Sequence, residues 1–301
     1  MVKYTCSKCL KDFKQKGHYT RHINRKYPCT NRVIGDFEKT EIVKPKVNSY
    51  EEITLSSDEK VMHAPIIMDR TDEIAQRVAK IKFDQKKTLN LKIDRGKGTA
   101  STTFFIGASK AGKSTLMMHL WKKHYSRKSI ISTLFSENSQ ISLYKGRKDL
   151  LKCDAFNDKA KKYIKMEKHI NTKTGNKYEF VNLFDDIVGS RHNKLLMKMV
   201  LSYRNSRMHT LFCTQYSNLI DKATRGNINN ILLFNMGTDE NTEVVIETFL
   251  KSTFKKMGLR NMTEMVLFYR RVTADYGFIY VQPRNGKVSF HKIPYETLKK
   301  K

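Results

Sequence analysis

One segment constrains the fold of this chain more than any other: a phosphate-loop pattern that stands between a strand and a helix. An apolar, β-type run ends at Ile106, and residues 116–125 have a helical pattern. The loop between them, G-x-x-x-x-G-K-S-T, consists of Gly107, Ala108, Ser109, Lys110, Ala111, Gly112, Lys113, Ser114 and Thr115. Glycines let such a loop turn its backbone N–H groups towards an anion, and the helix N-terminus adds partial positive charge. The segment therefore predicts a nucleoside triphosphate site, with Lys113 on the β- and γ-phosphates and Ser114 on Mg²⁺.

A second apolar run, residues 180–184, ends in two carboxylates, Asp185 and Asp186. A phosphate-loop enzyme needs an acid at the end of a neighbouring strand to hold Mg²⁺, and Asp185 is predicted to be that acid. Asp186 is placed to orient the attacking water, although many such hydrolases carry the longer glutamate there. Gln215 follows a further strand candidate, where its side chain could sense the γ-phosphate or hold the attacking water. The alternative for these residues is structural: the two acids end a strand, and the glutamine is a loop residue.

The nucleotide is predicted to be ATP. Asp186 and Gly189 also match the D-x-x-G element of GTPases. A GTPase further needs an N/T-K-x-D element that reads guanine, and the sequence has none. The chain is thus predicted to be a Mg²⁺-dependent ATPase.

The rest of the sequence alternates between apolar runs and helical patterns, which is typical of an α/β protein with a mainly parallel, doubly wound sheet. Further strands are predicted at 129–135, 180–184, 210–214 and 231–234, and helices at 69–83, 158–170, 194–203 and 241–256. Thr71 is the predicted N-cap of the first of these helices, and residues 89–93 are predicted to form a short strand. Asn285-Gly286 predicts a hairpin between strands at 277–281 and 288–292.

Composition points to a polyanionic partner. Fifty-eight Lys and Arg residues against 29 Asp and Glu give a net charge of +29. Such a charge concentrates nucleic acid near the surface, although a lysine-rich proteome would give the same number. No apolar run is long enough to span a membrane, and the N-terminus has no signal-peptide pattern, so we expect an intracellular protein.

The N-terminal residues have the spacing of a zinc finger. Cys6-x2-Cys9 and His22 match a C₂H₂ finger, and Cys29 takes the place of the second histidine. The predicted Zn²⁺ ligands are thus Cys6, Cys9, His22 and Cys29. The helix positions that would face DNA in such a finger are Gln15, His18 and Arg21. We therefore predict a ββα zinc finger at 1–30, a linker at 31–68 and a P-loop ATPase domain at 69–301.

The phosphate loop, the Asp185-Asp186 strand and Gln215 occur in the order and spacing of the FtsK–HerA group of P-loop ATPases. Residues 205–209 resemble that group's Arg-His-containing segment, with Met208 where its histidine is expected, and residues 224–234 resemble its R-x-N-I element. Over about residues 100–285, the chain resembles the DNA-packaging ATPases of nucleocytoplasmic large DNA viruses and virophages, the poxvirus-type lineage. Single fingers like the N-terminal one also occur on proteins of large DNA viruses.

This resemblance implies a RecA-like core with an additional strand between the phosphate-loop strand and the Asp185 strand. It implies a homo-oligomeric ring with ATP at the subunit interfaces, double-stranded DNA as the substrate that is moved, and a capsid protein as a partner. The location would be the host cytoplasm, in a viral factory, or the virion. Arg207 and Arg225 become candidates for stabilising charge on the transferred phosphoryl group, one of them in trans as an arginine finger. A surface or phosphate-contacting role is equally open for each.

Two other classes of function compete with a DNA motor. The first is a zinc-finger regulator that binds DNA and uses ATP as a conformational switch without translocation. The second is a nucleotide or nucleoside kinase, against which the absence of an evident lid or acceptor site and the appended finger both argue. DNA-stimulated ATP hydrolysis distinguishes the motor from the switch.

Overall fold

A computed structural model describes residues 4–5, 12–13, 15–23, 70–87, 91–96, 99–139, 141–154, 156–186, 198–201, 203–215, 220 and 222–294. The chain has two compact units, 1–64 and 65–301. Among the described helices, none combines the length and the apolar character that a bilayer crossing requires.

In the N-terminal unit, a short hairpin precedes a helix. β1 (Tyr4–Thr5) pairs antiparallel with β2 (Asp12–Phe13), and α1 spans Lys16–Ile23. His22 is buried, whereas Gln15 and His18 are exposed. The ββα order is the one that a C₂H₂-type finger has. The three predicted cysteine ligands and the predicted linker lie outside the described residues, so the zinc site stays a prediction.

The C-terminal unit is an α/β domain, and its described residues include nine strands. These are β3 (Gln85–Lys87), β4 (Thr102–Ile106), β5 (Ile130–Phe135), β6 (Leu151–Cys153), β7 (Glu179–Asp185), β8 (Met208–Thr214), β9 (Asn230–Leu233), β10 (Gly277–Gln282) and β11 (Lys287–Lys292). The helices with both ends described are α2 (Arg70–Lys80), α3 (Lys113–His124), α4 (Asp158–Lys173), α5 (Lys222–Arg225), α6 (Asp239–Val245), α7 (Lys251–Lys256) and α8 (Met262–Thr273). A π-helical turn, Ile246–Leu250, joins α6 to α7, and a 3₁₀ turn, Tyr203–Ser206, precedes β8.

All nine strands belong to one sheet, in the order β3-β11-β10-β9-β4-β8-β7-β5-β6. β10 pairs antiparallel with β9 and β11, and every other neighbouring pair is parallel. The prediction of a mainly parallel α/β sheet is therefore confirmed. β8 lies between β4 and β7, which is the additional strand that the resemblance implied.

Apolar side chains cover both faces of the sheet, because successive strand residues point to opposite sides. On β4, Phe104 and Ile106 join a cluster with α2, α4 and α8, whereas Phe105 joins a cluster with α3. Trp121 of α3 is fully buried in the second cluster, and its indole nitrogen donates to Ser132 Oγ over 2.9 Å. Burial on both faces makes the central strands almost wholly buried.

Three details differ from the sequence-based expectations. α2 begins at Arg70, so Thr71 lies in its first turn and is not the N-cap. Residues 91–96 form no strand; Leu91 and Ile93 are buried against the α3 face because they are apolar, not because they pair. Residues 194–197 of the predicted 194–203 helix lie outside the described residues, and 198–201 are helical.

Glu167 of α4 is a carboxyl group inside the core. It is 1% exposed; Asn182 donates to Oε2 over 2.9 Å, while Oε1 has no hydrogen-bond partner among the described residues. Burial raises the pKa of Glu167 from 4.5 to about 7. A carboxyl group with a raised pKa stabilises the fold at low pH, and this contribution is lost as the pH rises from about 4.5 through about 7.

Glu167→Gln should remove this pH dependence. We expect the variant to exceed the wild type in stability by up to about 3 kcal/mol at pH 8, and by little at pH 5, because the amide does not ionise. Thermal unfolding across this pH range measures the difference. Glu243→Gln, which changes an exposed glutamate, is the matched control and should show no such trend. A pH-independent effect of Glu167→Gln would contradict the assignment.

Candidate nucleotide site

The phosphate loop lies at the carboxyl end of β4 and leads directly into α3. Its two glycines are needed for different reasons, one for its backbone conformation and the other for lack of space. Gly112 precedes α3 with φ of 96°, a left-handed conformation that glycine adopts without strain. A Cβ on Gly107 would lie 2.6 Å from Phe234 Cβ, so the close passage of the chain after β9 excludes any side chain there.

Hydrogen bonds to two neighbouring strand ends anchor the loop. Gly107 N–H donates to Thr214 O over 3.2 Å, and Ala108 N–H donates to Asn235 O over 2.7 Å. Lys113 is 6% exposed, and its Nζ donates to Ala108 O across the loop over 2.8 Å. The ammonium group is therefore held over the concave side of the loop, where phosphate oxygens would be bound.

The two predicted Mg²⁺ ligands are in contact. Ser114 Oγ donates to Asp185 Oδ1 over 2.7 Å, and Asp185 is 6% exposed at the end of β7. A hydroxyl and a carboxylate are oxygen ligands of the kind that Mg²⁺ binds, usually together with phosphate oxygens and water. The donor set thus fits a Mg²⁺–nucleotide site. Among the described residues, no group of three or more His, Cys, Asp or Glu side chains forms an all-protein metal site.

Tyr144, which sequence reasoning missed, binds the other oxygen of the same carboxylate. Its hydroxyl donates to Asp185 Oδ2 over 2.5 Å, and its ring is fully buried. Burial, reinforced by the Asp185 charge, raises the pKa of Tyr144 far above its usual value, so the hydroxyl keeps its proton. Tyr144 lies in the irregular segment between β5 and β6, where no pattern marked it. Both oxygens of Asp185 are thereby fixed in direction.

Tyr144→Phe should raise the Mg²⁺ concentration that half-saturates ATP hydrolysis by about 10- to 100-fold, because losing one hydrogen bond to a charged group costs about 1.5–3 kcal/mol. The maximal rate at saturating Mg²⁺ should fall less. A Mg²⁺ titration of steady-state hydrolysis measures both numbers. Tyr178→Phe, which changes an exposed tyrosine at the opposite edge of the sheet, is the control. An unchanged Mg²⁺ requirement in Tyr144→Phe would show that this hydrogen bond does not position the carboxylate.

Asp186 and Gln215 also meet at this edge of the sheet. Gln215 Nε2 donates to Asp186 Oδ1 over 3.3 Å, and the two residues follow the adjacent strands β7 and β8. Asp186 has a φ of 53° and is exposed, so its carboxylate is open to solvent beside the loop. The two side chains are close enough to contact one water molecule, and their roles in hydrolysis stay predictions.

The structure does not bring Arg207 or Arg225 to the phosphate loop of their own chain. Arg207 directly precedes β8 and Arg225 lies before β9, so both are at the amino ends of parallel strands. Seven strand residues separate that edge from the nucleotide edge, a distance of about 20 Å. The predicted arginine-finger role therefore stays a prediction that only a neighbouring subunit could satisfy.

Each arginine has local partners at the amino edge. Arg207 has a φ of 51°, and its guanidinium lies 3.4 Å from both Glu179 Oε2 and Asn176 O. The hydrogen bond from His209, with the charges of Arg95 and Arg207, lowers the pKa of Glu179 to about 2, so Glu179 is an anion at neutral pH. The Arg225 guanidinium lies 5.5 Å from the centre of the Phe249 ring.

The comparisons with known proteins gave no family and several solved structures of similar fold. No family model matches the chain, and no curated protein matches it. The DNA-packaging ATPase B204 from Sulfolobus turreted icosahedral virus is 13% identical, with a TM-score of 0.46 over 65% of this chain and 98% of that one. The genome-packaging NTPase B204 from Sulfolobus turreted icosahedral virus 2, solved with AMP, is 13% identical, with a TM-score of 0.45 over 64% and 98%.

A further solved structure is the conjugation coupling protein TcpA of pCW3, in monomer form with ATPγS. It is 12% identical, with a TM-score of 0.44 over 73% of this chain and 75% of that one. At these identities and TM-scores, no activity, substrate or partner is carried over to this chain.

Proposed function

We propose that this chain is an ATP-hydrolysing motor that translocates double-stranded DNA, and that it packages a genome into a capsid. The observation that carries the proposal is the Ser114–Asp185 hydrogen bond of 2.7 Å beside Lys113, because it joins the two halves of a Mg²⁺–ATP site across 71 residues of sequence. The net charge of +29 supports a polyanion as the substrate that is moved.

Each residue at the nucleotide edge has a distinct role in this proposal. The phosphate-loop backbone and Lys113 bind the β- and γ-phosphates, and Ser114 with Asp185 would hold Mg²⁺, which neutralises charge on those phosphates when bound. Gln215 orients the attacking water, and Asp186 accepts its proton. The water oxygen then bonds to the γ-phosphorus while the bond from that phosphorus to the bridging oxygen of ADP breaks.

In this proposal, a second subunit completes the hydrolytic site. In a homo-oligomeric ring, Arg207 or Arg225 of one subunit would reach the γ-phosphate of its neighbour. Because both arginines lie at the amino edge, away from their own phosphate loop, a catalytic role for either one would have to be in trans. A mixed ring of Lys113→Ala and Arg225→Ala subunits, neither of which hydrolyses ATP alone, should recover activity if Arg225 acts in trans.

The N-terminal unit is proposed to be a Zn²⁺ finger that contacts DNA or a protein partner such as the capsid protein. The ββα order and the burial of His22 support it. One finger reads only about 3 bp, so it would guide the motor rather than select a unique site. Zinc analysis of the full chain should find one Zn²⁺ per chain, which Cys9→Ser should release.

The proposed motor is tested by measuring ATP turnover with and without duplex DNA, together with displacement of a triplex-forming strand. We expect linear duplex DNA to raise the ATP turnover several-fold and the moving protein to displace a triplex-forming strand. An ATP-switched DNA-binding regulator would bind duplex but would show neither effect. ATP turnover without displacement would therefore remove translocation from the proposal while leaving the ATPase in place.

A further inference from the structure

The edge of the sheet opposite the phosphate loop carries a row of exposed cations. The loops at the amino ends of the parallel strands, with the β10–β11 turn, form what we name the amino-edge surface. Its exposed cationic side chains, apart from Arg207, are Arg127, Lys128, Lys173, Lys177, Arg284 and Lys287. They flank β5, β7 and β10, strands that span about 25–30 Å across the sheet at about 4.8 Å per strand.

The acidic residues described at this edge are engaged within the protein. Glu179 accepts from Arg95 and His209, and Asp94 accepts from Gly96 N–H and Asn229 Nδ2. Asp149 accepts from Ser126 over 2.7 Å. The opposite edge, at the carboxyl ends of the parallel strands, has exposed charges of both signs. Asp154, Asp186, Asp239 and Asp275 are exposed there, as are Lys110 and Lys292. Among the exposed charged side chains described, cations outnumber acids at the amino edge, whereas both signs occur at the carboxyl edge.

A polar groove lies within the amino-edge surface. It has a volume of about 580 Å³ and is lined by Thr99, Asn205, Gly226, Asn227 and Arg284, without a carboxylate. The Arg284 guanidinium lies 3.3 Å from Gly226 O and 3.4 Å from Asn227 O, which holds it at the groove wall. Guanidinium and amide N–H groups are the donors that phosphate oxygens accept from in nucleic-acid complexes.

We infer that the amino-edge surface binds the phosphate backbone of double-stranded DNA. This inference rests on the proposed motor function and assigns the DNA to the sheet edge about 20 Å from the nucleotide. A row of about 25–30 Å is shorter than one duplex turn of about 34 Å, so the cations meet phosphates along one side of a duplex. Tyr178 is the one exposed aromatic ring described at this edge, too few for the stacking that single strands need.

Removing three cations tests the surface. The variant Lys177→Ala, Arg284→Ala, Lys287→Ala changes exposed residues only, and its matched control, Lys159→Ala, Lys162→Ala, Lys165→Ala, removes the same charge from α4. Binding of the full chain to a 30-bp duplex is measured by fluorescence anisotropy, with a non-hydrolysable ATP analogue, over a range of salt concentrations. Thermal melting shows that both variants are folded.

The amino-edge variant should bind at least ~10-fold more weakly, and the slope of log affinity against log salt should fall by about 2–3, since each lost phosphate contact removes about 0.9. The control should stay within ~3-fold of the wild type. If the triple variant does not fold, Lys177→Ala alone should lower the slope by about 1. Equal losses in both variants, or a preference for single strands, would overturn the inference.

The experiments can contradict the proposed translocation function and the proposed DNA-binding surface independently. If the wild type displaces a triplex strand and both triple variants bind equally well, the proposed function stands and the surface is wrong. If the amino-edge variant loses duplex binding but the wild type shows no ATP-driven displacement, the surface stands and the motor is wrong. A wild type that does not bind duplex at all overturns both.

Discussion

Lys113→Ala should reduce ATP turnover by at least ~1,000-fold, which corresponds to about 4 kcal/mol of lost transition-state stabilisation. Lys113 is the buried cation of the phosphate loop, with its Nζ already 2.8 Å from Ala108 O on the loop's concave side. Alanine removes the charge that meets the β- and γ-phosphates, and no other described lysine is buried beside this loop. Steady-state release of inorganic phosphate at saturating ATP and Mg²⁺ measures the loss.

Lys122→Ala is the matched control for that variant. Lys122 lies on the same helix, α3, but is exposed. Its replacement should change turnover by less than ~2-fold, as is usual for surface substitutions. A Lys113→Ala protein that melts at the wild-type temperature and retains more than a tenth of the wild-type turnover would contradict the proposed nucleotide site.

Asp185→Asn should lower turnover by at least ~100-fold at millimolar Mg²⁺, and added Mg²⁺ should not restore it fully. The carboxylate accepts from Ser114 on one oxygen and from Tyr144 on the other. An asparagine keeps the shape but loses the charge that holds the cation. Its amide NH₂ would also face a hydroxyl donor, because both oxygens are occupied as acceptors.

Two comparisons separate this effect from a general loss of structure. Asp72→Asn changes an exposed aspartate in the first turn of α2 and should leave turnover within ~2-fold of the wild type. Affinity for ATP without Mg²⁺ should be little changed in Asp185→Asn, because Lys113 and the loop backbone remain. Equal loss of nucleotide affinity with and without Mg²⁺ would show that Asp185 supports the loop rather than the cation.

Most strands of the sheet were predictable from the sequence, because apolar runs mark where they lie. The predicted phosphate-loop strand is β4, and the four further predicted strands are β5, β7, β8 and β9. The predicted Asn285-Gly286 hairpin is formed by β10 and β11. Each is a run of apolar residues bounded by polar or turn residues, so local sequence carries the signal. Short elements were missed: β3 and β6 have three residues each, too few for a period to show.

The candidate site was predictable in its chemistry and not in its contacts. The motif spacing pointed to Ser114 and Asp185 as Mg²⁺ ligands, and the structure brings them to 2.7 Å. Tyr144 could not be predicted, because it belongs to an irregular segment and reaches Asp185 only through the packing of that segment over the α3 face. The placement of Arg207 and Arg225 at the opposite edge also depends on strand direction, which composition does not report.

By itself, the sequence determined the class of sheet, the phosphate loop and the excess of positive charge, because these are properties of neighbouring residues and of totals. Tertiary structure alone decided what lies near what. It holds both oxygens of Asp185, pairs Asp186 with Gln215, and separates the nucleotide edge from the cationic amino edge. The physical reason is that parallel strands gather all their carboxyl ends at one edge and all their amino ends at the other, whatever the distance between them in the chain.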